Sequence, residues 1–142
     1  MLLLSYKEKG DKKMKRLLAL VIPFLLLAGC SANTAGESAS FLEISQSEAM
    51  EIMDTQENFI ILDVRRPDEF KEGHIKNAIN IPNETIGEDE IPALPQKDQL
   101  ILVYCRSGNR SKQASQKLAK LGYTNIKEFG GINTWEGEIV KD

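Results

Sequence analysis

Cys105-Arg-Ser-Gly-Asn-Arg110 places two arginines and a glycine within five residues of a cysteine, in a chain of 142 residues. A thiol attacks only as its thiolate. A helix N-terminus and neighbouring cations lower a cysteine pKa from about 8.5 into a range of roughly 3.5 to 7.5. Arg106 and Arg110 are the expected cations. The segment from Cys105 to Arg110 is able to curl so that successive N–H groups point inward, with Gly108 supplying the positive φ such a nest needs. An anion, or a charged sulfur carried on Cys105, would be held there. The ordinary alternative is a buried structural cysteine, since free cysteine is among the most buried residue types. That alternative leaves the two arginines and the glycine without a role.

The flanking residues supply the elements that must position this loop. Leu100-Ile-Leu-Val-Tyr104 is an apolar run too short for a helix and followed at once by loop residues, as expected of a buried parallel strand. From Ser111 the pattern turns helical, with Ala114, Leu118 and Leu121 on one side and Gly122 as the stop. Cys105 therefore sits at a strand's carboxyl end, facing a helix N-terminus, where ligands of open α/β sheets collect. Upstream, Phe41–Ile44 reads as a short strand, and Ser45 with Glu48 has capping-box spacing before a helix carrying Ala49, Met50 and Met53. Phe59–Val64 is a second buried strand, ending in Asp63 and followed by Arg65 and Arg66. Pro67 opens a short helix that stops at Gly73, and a third strand lies around Ala78 to Ile81. Residues 83–97 form a short helix or an irregular connection anchored by Ile86, Ile91 and Leu94. Thr124–Phe129 is the fifth strand, and Gly130-Gly131 a turn into a last short helix near Trp135. Strands alternating with helices at this spacing imply an α/β fold: about five strands, mainly parallel, with helices on both faces.

The N-terminal stretch has a different character. Lys12, Lys13, Lys15 and Arg16 precede an apolar run from Leu17 to Cys30 that has signal-peptide length and contains Pro23. Met14 makes a compact start for that signal. The ending Leu27-Ala-Gly-Cys30 resembles the lipobox of bacterial lipoproteins, in which the cysteine is acylated and becomes the mature N-terminus. That resemblance implies a signal peptide over 1–29, a lipid on Cys30, a small polar tether over 30–40 and a folded domain over 41–142, outside the cytoplasm and attached to a membrane. The alternative is a plain secretory signal that leaves Cys30 as a thiol. Removing residues 1–29 takes six of the 18 basic and two of the 21 acidic residues, leaving 12 against 19 and a net charge of about −7. That acidity argues against a nucleic-acid partner, and the two arginines beside Cys105 stand out against it. With one histidine and two cysteines there is no metal-ligand spacing, and no cofactor is expected.

Three pieces taken in order, Asp63-Val-Arg65 with Glu69-Phe70 and Gly73-His74-Ile75, then Cys105–Arg110, then Gly130-Gly-Ile-Asn-Thr-Trp135, resemble the single-domain rhodaneses. The resemblance runs from about Phe41 to Val140. Lys76-Asn77 departs from it, since the family usually has Pro-Gly there. It implies that the Cys105 thiolate takes the outer sulfur of an anionic donor such as thiosulfate and passes it, as a persulfide, to a thiol, a protein thiol included, or to cyanide. Arg106 and Arg110 would bind the donor's oxygens, and the backbone of Arg106, Ser107, Gly108, Asn109, Arg110 and Ser111 would steady the persulfide. Asp63 and Arg65 would support the loop as an ion pair, against the alternative of a solvated charged turn. His74 is expected to be structural and Trp135 to be packing. Two other functions remain open. Related loops in phosphatases and arsenate reductases have five residues between Cys and Arg, whereas four separate Cys105 from Arg110, a shorter ring that suits a single sulfur. A lipid-anchored module that carries persulfide, senses oxidants or binds a partner without turnover is the other.

Overall fold

The computed structural model describes residues 40–141. Five strands make the main sheet: β1 (Leu42–Glu43), β2 (Phe59–Asp63), β4 (Ile79–Asn80), β5 (Leu100–Cys105) and β6 (Ile126–Gly131), in the order β1-β6-β5-β2-β4. Every pairing in it is parallel. The helices are α1 (Gln46–Thr55), α2 (Pro67–Glu72) and α3 (Asn109–Lys120). A two-stranded antiparallel ribbon, β3 (His74–Ile75) with β7 (Ile139–Val140), lies outside the main sheet. Among the described residues no helix is long and apolar enough to cross a membrane.

Strand β5 is central and all six of its residues are buried, which explains its uninterrupted apolar sequence. Side chains alternate across the sheet, so Ile101, Val103 and Cys105 join the core under α3, with Ala114 and Leu118, while Leu100, Leu102 and Tyr104 join the core under α1, with Ala49 and Ile52. Burying one such aliphatic side chain contributes about 1.5–3 kcal/mol. The period of two thus fixes which face Cys105 serves: it is the last residue on the α3 side.

Several boundaries differ from the sequence reading. Helix α3 starts at Asn109, two residues before the expected Ser111, because Gly108 adopts φ 102° and turns the chain directly into the helix. Gly130 and Gly131 are the end of β6 and not a turn, and a 3-10 turn at Ile132–Thr134 replaces the last helix. Residues 83–97 hold one 3-10 turn at Asn83–Thr85, with Ile86 and Leu94 buried against the α3-side core. The expected signal peptide over 1–29, the expected lipid site Cys30 and nearly all of the expected tether lie outside the described residues.

Candidate active site

Cys105 is 1% exposed and ends β5 beneath the N-terminus of α3. The Gly108 N–H donates to its Sγ at 3.0 Å. Burial pushes the thiol up. The Ser111 hydroxyl, the Ser111 N–H and the N–H groups of Ser107 and Gly108 pull it down and prevail, so the thiol lies below its ordinary value. Positive ends of backbone dipoles, not side-chain cations alone, therefore favour the thiolate.

The loop is backed by the end of β6. A Cβ on Gly131 would overlap the Arg106 carbonyl and stand 2.6 Å from the Ser107 Cα, so only glycine permits this approach. The Asn133 N–H donates to the Arg106 carbonyl at 3.2 Å, and Gln46 at the start of α1 donates from Nε2 to the Gly131 carbonyl at 2.7 Å. The double glycine is thus a bed for the cysteine loop, pinned from behind by α1.

The two arginines differ. Arg106 is exposed, and among the described residues its guanidinium has no carboxylate partner. Arg110, expected to bind an anion, is held in a two-pronged pair with Glu69 of α2, Nη1 to Oε2 at 2.7 Å and Nη2 to Oε1 at 2.9 Å. The Arg110 guanidinium pulls the Glu69 carboxyl down to about 2. Ser107 and Asn109 are exposed at the loop's outer edge, and Gly108 is buried at its base.

On the neighbouring strand end, Asp63 and Arg65 form a buried pair. Arg65 donates to the Asp63 carboxylate through Nε at 3.0 Å, through Nη2 at 2.7 Å and through its own N–H at 2.9 Å, and Nη2 also reaches the Gly73 carbonyl at 2.7 Å. Burial and the Asp63 carboxylate raise the Tyr104 phenol, whose oxygen accepts the Ile75 N–H at 3.1 Å. His74 stacks on Phe70 at 3.7 Å between centroids and meets the Phe70 carbonyl through Nδ1. Trp135 packs on Phe129 at 5.5 Å.

Residues 45–138 match the profile of the rhodanese-like domain, which spans more than half of the chain. The chain belongs to the rhodanese family. Among its relatives, the thiosulfate sulfurtransferase PspE of Escherichia coli is 38% identical over 71 residues, covering 50% of this chain and 68% of that one. A sulfurtransferase of Allochromatium vinosum is 37% identical over 94 residues, covering 64% and 83%. A solved structure described as a rhodanese with anions from E. coli superposes with a TM-score of 0.54 at 35% identity, covering 58% of this chain and 98% of that one. In this rhodanese domain the cysteine loop lies against the double glycine, and the Asp-Val-Arg strand end runs alongside the strand that carries Cys105.

One acidic residue of the site escaped the sequence reading. Glu128 is 2% exposed on β6, its Oε1 accepting the Ser111 hydroxyl at 2.5 Å and the Gly130 N–H at 2.8 Å. The signal was present in the strand's period: Glu128 lies two residues from Ile126, so it faces the same buried side. A carboxylate at a core-facing strand position needs a partner.

Proposed function

We propose that this rhodanese domain is a sulfurtransferase that moves a sulfane sulfur from an anionic donor such as thiosulfate to a thiol or cyanide through a persulfide on Cys105. Sulfur transfer in general is supported by the family match and by the names of the relatives. The donor class and the covalent route rest on one observation, the Cys105 sulfur at the focus of inward-pointing N–H groups at a helix N-terminus. The thiolate attacks the outer sulfur of the donor. A sulfur–sulfur bond forms, the donor's own sulfur–sulfur bond breaks, and sulfite leaves with the electron pair. An acceptor thiolate or cyanide then takes the terminal sulfur, returning Cys105 as thiolate and releasing a new persulfide or thiocyanate. Arg106, whose fork has no carboxylate partner among the described residues, receives the donor's oxygens, while Arg110 holds α2 against the loop through Glu69.

Incubation of the protein with thiosulfate followed by intact-mass measurement tests this. The expected result is a gain of one sulfur, removed by cyanide with release of thiocyanate and absent in Cys105→Ser. No adduct and no thiocyanate would overturn it. An adduct formed without turnover favours the carrier reading, and phosphate-ester hydrolysis without an adduct favours the phosphatase.

The sequence also supports attachment to a bacterial membrane, outside the cytoplasm, through a lipid on Cys30. Labelled palmitate is expected to mark the wild-type chain and not Cys30→Ala; equal labelling of both removes the anchor.

A further inference from the structure

The Ser111 hydroxyl has one hydrogen and several claimants for it. It lies 2.5 Å from Glu128 Oε1, 2.9 Å from the Gly108 carbonyl and 3.3 Å from the Gly130 carbonyl, and it is close enough to Cys105 to favour the thiolate. A hydroxyl donates once. The contact to Glu128 is shorter than those to the two carbonyls, and a bond to an ionised carboxylate is about twice as strong as one to a neutral acceptor. Glu128 cannot turn away, because it is buried and its Oε1 also accepts the Gly130 N–H at 2.8 Å.

We propose that Glu128 is a positioning residue for Cys105, acting through Ser111: its carboxyl competes with the sulfur for the Ser111 proton and so weakens the support the hydroxyl gives the thiolate. Its carboxylate restrains a loop that would otherwise stabilise the thiolate further. Restraint suits a sulfur carrier, because nucleophilicity falls as thiol pKa falls and the best attacking thiol has a pKa near ambient pH. The proposal concerns the resting thiol and does not require the transfer reaction to be that of the preceding section. Among the described residues, Lys112 on α3 and Glu43 on β1 at the paired register position are charged neighbours of Glu128, and Cys105 meets it through Ser111. Lys112 is bound to Glu43 at 2.7 Å, so it leaves the Ser111 contact to Glu128.

The replacement that isolates the effect is Glu128→Gln. An amide oxygen in the place of Oε1 still accepts the Gly130 N–H and the Ser111 hydroxyl, but being neutral it holds the Ser111 proton less strongly, so that proton shifts toward sulfur. The pH dependence of Cys105 alkylation by iodoacetamide reads the thiol directly, and a merely structural role for Glu128 would not shift its midpoint downward. The expected result is a midpoint about one pH unit lower in Glu128→Gln than in wild type. Ser111→Ala completes the cycle. In wild type it should raise the midpoint only modestly, because Glu128 competes for the proton it removes. In the Glu128→Gln background it should raise the midpoint further than in wild type, by about the amount that Gln had lowered it, converted at 1.36 kcal/mol per unit. An unchanged midpoint in Glu128→Gln, or a Ser111→Ala shift equal in both backgrounds, overturns the proposal. If Glu128→Gln does not fold, Ser111→Ala alone decides, since a rise of a unit or more shows that Ser111 already serves the thiolate. Because iodoacetamide needs no sulfur donor, failure here is separable from failure of sulfur loading.

Discussion

Strands β2 and β5 lie side by side in parallel and end at the same level, with Asp63 opposite Tyr104 and Cys105 one residue further on. Their ends hold opposite chemistry. At the β2 end a carboxylate and a guanidinium are buried together, and Arg65 spends its donors on Asp63 and the Gly73 carbonyl. At the β5 end the donors are backbone N–H groups converging on a sulfur, with Arg106 lying open beside them. Buried charge by itself is therefore no mark of a reactive centre. Donors that lack a fixed acceptor are the better mark, because they retain electrostatic stabilisation to give to an incoming charge.

Substitution can break that contrast from either side. The largest effect is expected from Arg65→Ala, which leaves Asp63 buried and unpaired and should cost about 3–5 kcal/mol in urea-unfolding stability. The thiol midpoint in the fraction still folded should stay where it was; a shift there would show that the β2 end feeds the chemistry after all. Gly131→Ala comes next. Its methyl displaces the Arg106–Ser107 backbone, so stability should drop by about 1–3 kcal/mol and the alkylation midpoint should rise as the N–H groups lose their aim. Arg106→Ala is expected to change stability by less than about 0.5 kcal/mol, as for most surface positions, while raising the KM for an anionic donor about tenfold, a loss of about 1.4 kcal/mol. Equal KM values would remove Arg106 from the donor site.

The smallest and most informative change is Glu69→Gln. Glu69 is depressed in the folded protein to about 2, so its stabilisation is present above the usual carboxylate range and is lost as pH falls through that range toward about 2. Acid unfolding of Glu69→Gln should lack that part of the slope. The freed Arg110 should lower the KM for thiosulfate about two- to threefold, measured as thiocyanate formed with cyanide. An unchanged KM would mean that Arg110 cannot reach the donor even when released.

Strand β5, helix α3 and the nest between them were legible because each depends on residues within about a dozen positions: an apolar run, a helical period, a glycine at the bend. Contacts across the chain were not. Glu69 and Arg110 are 41 positions apart, and no local pattern pairs them, so both loop arginines read alike from the sequence. The double glycine looked like a turn because its real constraint, the Arg106 backbone lying against it, is visible only in three dimensions. Strands β3 and β7 have two residues each, too few to show an alternation. Glu128 is the instructive omission: the strand period marked it as inward-facing, but its partner Ser111 had been counted only among the backbone donors.

The main sheet is bordered by β1 and β4, each only two residues long. An approaching strand from another molecule finds almost no ladder to extend, the commonest safeguard against sheet-to-sheet growth. Copies of this domain crowded together therefore have no sheet edge long enough to knit them into a continuous fibre.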